Sequence, residues 1–249
     1  MHGSRLLLVC ALATALAAPA LADKVLTIAS HTDAFSMMGQ TQPAKDETYR
    51  YWFGADAIRY DAGTTSFIVD MARMKMYFVN HDDKDYSTID LPVDFKKLVG
   101  PEMAPMMEQM AKMMTATVNV TPTDRTGTYA GVGCTWSKIE VSMQMMQMAQ
   151  DSCLTEELPI DYSRYKELSA SQAEMMMNQQ WMKDLAEKVK GFPLRTESTT
   201  TIMGKPLKGW QELKAIADEA PPAGHYAPPA GYKEIQYDPM AQAQRQGGR

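Results

Sequence analysis

Ser66-Phe67-Ile68-Val69-Asp70, a connection Met71-Ala72-Arg73-Met74, and then Lys75-Met76-Tyr77-Phe78-Val79-Asn80 form the stretch that decides the fold. Two short runs of β-branched and aromatic residues flank a four-residue link, which is hairpin spacing. Alternation in the second run implies one covered face. The unbroken Phe67, Ile68 and Val69 imply that both faces are partly buried. The same rhythm continues outward. Residues 49–53 and 57–61 read as strands around a turn at Gly54, and 85–91 follows a polar turn at 81–84. Spacings this short favour antiparallel pairing, because parallel neighbours need a long crossover.

Downstream the period changes. Pro101 suits a helix start, and Met103, Met106, Met107, Met110, Met113 and Met114 then recur on one helical face. Glu102, Glu108, Gln109 and Lys112 fall largely elsewhere. Residues 115–120 return to a strand pattern ending at Pro122. A further sheet portion is expected over 128–143, with Gly127, Gly131 and Gly133 as turn glycines. The longest helical candidate is 163–190, with Lys188 and Lys190 favourable to the helix dipole and Gly191 as its cap. A strand over 194–203, a turn at 204–206 and a short helix over 211–219 complete the pattern. The remainder is rich in proline and glycine.

Residues 1–22 read as a cleavable export signal, with Arg5, an apolar run from Leu6 to Leu16, and Ala20-Leu21-Ala22 as the cleavage site. The chain then divides into this signal, one α+β domain over 23–240 and a disordered tail over 241–249. Localisation is expected to be periplasmic, with cleavage near Ala22. No later segment approaches a membrane span. Losing Arg5 takes the formal charge from −5 to −6. An acidic chain without a basic block argues against nucleic acid as a partner and offers no polybasic membrane patch. Cys134 and Cys153 survive processing, and in an oxidising compartment the pair predicts a disulfide.

The 22 methionines set the functional question. The six on the 103–114 helix give either ordinary core packing, an adaptable apolar surface, or soft ligands for Cu(I). Met143, Met145, Met146 and Met148 form a second cluster and the main metal alternative. Met175, Met176 and Met177, with Met182 nearby, form a third. Neighbours on one helix point apart, so Met175 to Met177 cannot all ligate one ion unaided. His2, His31, His81 and His225 show no metal-binding spacing. His81-Asp82-Asp83 with Asp85 reads as an exposed hairpin turn. No nucleophile elbow is present, and Gly127, Gly131 and Gly133 lack the Lys-Ser/Thr of a phosphate loop. The chain is therefore read as non-enzymatic and without a cofactor.

Three segments resemble the exported bacterial proteins of the DUF4412 family. They are the hairpin over 66–80, the stretch Thr126-Gly127-Thr128-Tyr129-Ala130-Gly131-Val132-Gly133-Cys134, and Pro229-Ala230-Gly231-Tyr232-Lys233. In overall style the family is similar to the envelope lipoprotein carriers. That resemblance implies an α+β fold, a curved and incompletely closed antiparallel sheet with helices on its concave side. A lipid or another apolar molecule would sit between sheet and helix. Met103, Met106, Met107, Met110, Met113 and Met114 would then face a wall of Phe67, Val69 and Phe78. The expected function is carriage of an apolar ligand. Cu(I) handling and a structural or interaction role with an envelope protein are the alternatives.

Overall fold

The computed structural model describes residues 22–37, 40–94, 97–98, 100, 105, 109, 116–143, 146–160, 180–202 and 204–238. All but Ala22 of the expected signal over 1–22, the tail over 241–249 and most of the two helical candidates lie outside them. Strands β1 (Asp23–Thr32), β4 (Lys45–Phe53), β5 (Ala57–Ala62), β6 (Thr65–Asp70), β7 (Lys75–Asn80) and β8 (Asp85–Asp90) make up the first half. The small pair β2 (Phe35–Met37) and β3 (Gln40–Gln42) interrupts them. The second half contains β9 (Ala116–Tyr129), β10 (Val132–Met143), β11 (Met146–Thr155), α1 (Gln180–Lys188), β12 (Phe192–Ile202), β13 (Lys205–Glu219) and β14 (Lys233–Ile235).

Twelve of these strands form one sheet in the order β14-β8-β7-β6-β5-β4-β1-β13-β12-β11-β10-β9. The expectation of an α+β half barrel does not hold. The molecule is mostly β, the pairing runs in one open line, and α1 is the one substantial helix among the described residues. Nor is the sheet purely antiparallel, because β14 lies parallel to β8. The cause is the chain's return path. The proline- and glycine-rich segment after β13 crosses one face of the sheet and enters the β8 edge from the other end.

The hairpin of β6 and β7 shows how the sequence builds two faces. Phe67 pairs with Phe78 and Val69 with Met76, on one side. Ile68 pairs with Tyr77 and Ser66 with Val79, on the other. The first side continues through Tyr51, Tyr60, Ile58, Leu26 and Ile28 into the main core. The second carries a smaller cluster of Ile68, Tyr77 and Val79, against which Tyr226 and Tyr232 of the returning segment pack. Leu26, Ile58, Ile68, Met76, Leu194 and Leu213 are fully buried, each contributing on the order of 1.5–3 kcal/mol.

Three local expectations are overturned by sheet pairing. Residues 211–219 are strand, not helix, because β13 pairs with β1 over 209–219 and with β12 over 205–212; sheet pairing overrides local propensity. The strand begun near residue 115 runs through Pro122 to Tyr129. That proline is tolerated because β9 is an edge strand, and it sits where the register with β10 shifts. Gly127 is not a turn residue. It faces the ring of Tyr129 and the sulfur of Cys153, where a Cβ would come within 3.0 and 3.2 Å.

The expected disulfide is present, joining Cys134 on β10 to Cys153 on the neighbouring β11 with Cα atoms 5.3 Å apart. α1 lies against β9, where Lys188 Nζ donates to the Val118 carbonyl at 2.7 Å. Gly191 follows with φ +98°, and a Cβ there would lie 2.6 Å from the Thr155 carbonyl oxygen.

Candidate functional site

The three expected wall residues share one face. Phe67 and Val69 are buried in the main core and Phe78 packs against it. Sheet register adds an aromatic stripe beside them. Tyr51 lies 4.6 Å from Tyr60 between ring centroids, and Tyr49 lies 5.5 Å from Tyr60. Phe67 and Phe78 are 4.9 Å apart, and Tyr237 meets Phe78 at 5.2 Å. These are the offset or tilted geometries that aromatic rings favour. Tyr49, Tyr51, Tyr60 and Phe78 stay partly exposed at the margin of the core. Burial pushes the phenols of Tyr49 and Tyr60 up, Tyr60 strongly, with Tyr51 adding to the effect on Tyr60. The phenols therefore stay neutral. No stripe of tyrosines was anticipated, although their alternate spacing at 49, 51 and 60 carried the signal.

Met103, Met106, Met107, Met110, Met113 and Met114 lie outside the described residues, as do Met145 and Met175 to Met177. Met143, Met146 and Met148 are described. They fall at the facing ends of β10 and β11 and are half-buried. Among the described residues no group of three or more His, Cys, Asp or Glu could hold a metal ion.

The hairpin turn expected at His81, Asp82 and Asp83 is present and is exposed over 82–84, while the half-buried His81 ring enters a polar network on the opposite face. Arg59 Nε and the Ser66 hydroxyl both donate to Asp61 Oδ1, at 2.7 and 2.5 Å. Arg59 Nη2 donates to Ser66 Oγ at 2.8 Å, and Nη1 to the His225 carbonyl at 2.7 Å. His81 Nε2 lies 2.8 Å from Ser66 Oγ and its Nδ1 lies 3.0 Å from the Tyr232 hydroxyl. With the Ser66 proton given to Asp61, the network assigns His81 an Nε2 proton, and Tyr232 donates to Nδ1. Burial first, then the Arg59 cation, pushes His81 below its usual value. A serine–histidine contact here is not an activated nucleophile. The histidine donates to the oxygen rather than accepting from it, and Ser66 is 3% exposed.

The network ties down the returning segment, residues 220–232. Tyr226 donates to Asp23 Oδ2 at 2.6 Å, and the His225 ring packs edge-on against Trp52 at 4.3 Å. Two open grooves lie on this same side of the sheet. One, about 420 Å³, is lined by Tyr77, Tyr86, Pro228, Pro229 and Tyr232. The other, about 490 Å³, includes Lys138, Asp151, Arg195, Glu197 and Trp210. In the second, Arg195 stacks 4.6 Å over Trp210 and donates to Glu212 at 2.6 Å, so its charge is already paired. No helix of the described residues is long and apolar enough to cross a membrane.

The model of a domain of unknown function, DUF4412, matches residues 35–232. The chain belongs to the DUF4412 family. The DUF4412 match runs from β2 to Tyr232, and so takes in the β6–β7 hairpin, the disulfide strands and the segment that reaches His81. No curated protein matches the chain.

Proposed function

We propose that this protein is a non-catalytic binding protein of the bacterial periplasm that takes an apolar ligand, such as a lipid acyl chain, on the aromatic side of its sheet. The partly exposed stripe of Tyr49, Tyr51, Tyr60 and Phe78 beside the buried core carries this reading. Aromatic rings offer area with little conformational entropy to lose, and a tyrosine among them adds a polar tip for the polar end of a ligand. The Cys134–Cys153 bond supports an oxidising compartment. β1 begins at Asp23, just after the expected cleavage site.

The test is native mass spectrometry of the protein purified from its own compartment, followed by titration with a fluorescent fatty acid. A retained lipid mass and saturable binding that falls at least fivefold in Tyr60→Ser are expected. A bare chain with no saturable binding overturns the proposal.

A further inference from the structure

The β10–β11 hairpin collects thioethers that the sequence leaves scattered. Val141 pairs with Met148 and Ser142 with Gln147, so the same register carries Met143 opposite Met146. Strand alternation then puts Met143, Met146 and Met148 on one face, where β10 ends and β11 begins. All three are half-buried, and none belongs to either core cluster.

Their paired neighbours among the described residues are uncharged. The partners across the flanking strands on that face are Ala116, Thr200 and Ile202. Lys138, Glu140 and Asp151, the charged residues nearest along β10 and β11, alternate to the opposite face. Hard divalent ions need carboxylate or carbonyl oxygens, so this surface is unsuited to them. Uncharged thioether sulfur selects a soft monovalent ion instead. Directly opposed strand residues have Cβ atoms about 5 Å apart and diagonal ones about 7–8 Å. The unbranched methionine side chain is long and flexible enough to bring such sulfurs onto one ion. Cys134 and Cys153 are consumed by their disulfide, leaving no thiolate among the described residues to compete.

We propose that Met143, Met146 and Met148 form a thioether site for Cu(I), independent of apolar binding at the tyrosine stripe. Binding is to the ion as Cu(I), with no change in oxidation state and no loss of the disulfide.

The test is anaerobic titration of the disulfide-bonded chain, with ascorbate holding copper as Cu(I) and bicinchoninate as the competing chelator. One equivalent bound, with only sulfur in the first X-ray absorption shell, is expected. Leucine preserves apolar volume, so Met143→Leu/Met146→Leu/Met148→Leu should keep its thermal midpoint yet lose affinity at least tenfold. Met74→Leu, at an exposed remote methionine, and Tyr60→Ser should bind copper like the parent. Failure of the parent to compete with bicinchoninate overturns the proposal, as does a triple variant that binds equally well. If the triple variant unfolds, Met146→Leu alone decides by the same affinity measurement.

Discussion

Tyr226 donates its hydroxyl hydrogen to Asp23 across 2.6 Å, joining the first residue of β1 to a segment 203 positions later. Asp23 is 8% exposed. Burial, reinforced by Asp23, pushes the Tyr226 phenol far up, so the proton stays in this bond. Tyr226→Phe leaves the buried carboxylate without this donor and is expected to lower unfolding free energy by about 1–3 kcal/mol. Urea denaturation of the two proteins checks it, and equal midpoints would show the bond to be dispensable.

Gly54 is expected to be intolerant of a side chain for a related reason. A Cβ there would lie 2.8 Å from the Tyr226 hydroxyl oxygen and 2.9 Å from its ring. Gly54→Ala must displace the ring and with it the hold on Asp23. A loss of roughly 1–3 kcal/mol follows, largely absent when the substitution is made on top of Tyr226→Ala. A double-mutant cycle measures the coupling.

Stability should fall on mild acidification. His81 and His225 are both pushed below the ordinary value of 6.5, first by burial and then by Arg59. A histidine with a depressed folded pKa binds fewer protons when folded than when unfolded. Its contribution is therefore complete above about pH 6.5 and is lost as pH drops below that, until the folded value is passed. His31 acts the other way, raised by its bond to Asp46 with help from Asp33, but it is solvent-exposed. Unfolding free energy measured from pH 7.5 to 5 should decline. A His81→Gln/His225→Gln variant should show a shallower slope, and an unchanged slope would refute the assignment.

Reducing the disulfide is expected to remove about 3 kcal/mol, since the bond closes a loop across 19 positions. Guanidinium unfolding with and without a thiol reductant gives the difference. Cys134→Ala/Cys153→Ala should reproduce the reduced value.

Along the stripe, Tyr51→Asp should abolish binding of a fluorescent fatty acid by placing a charge beside Tyr60, 4.6 Å away by ring centroid. Tyr86→Asp, on the other face, should leave it intact. Titration of both variants at equal folded concentration is the measurement, and loss in both would move the site to the opposite face.

Much of the strand pattern was readable because its causes are local. The 66–80 hairpin needs only alternating side chains and a turn that Met74 completes at φ 52°. Phe67, Val69 and Phe78 could be assigned to one side for the same reason. The turn at 81–84 is legible locally, but the partners of the His81 ring, Ser66 and Tyr232, lie 15 and 151 positions away. Residues 211–219 show local helical character that cannot anticipate their pairing with β1, nearly 190 positions earlier in the chain.

By itself, the sequence determined the hairpins of β4 to β8, the cysteine pairing and the wealth of thioether side chains. Alternation, turn chemistry and composition act within a few residues and need no knowledge of the whole. Tertiary structure alone decided that the proline-rich return crosses to β8 in parallel, that β13 lies between β1 and β12, and that Met143, Met146 and Met148 share one face. Those outcomes depend on which distant backbone groups find each other, and pairing energy gathered along a whole strand outweighs the preference of any short segment.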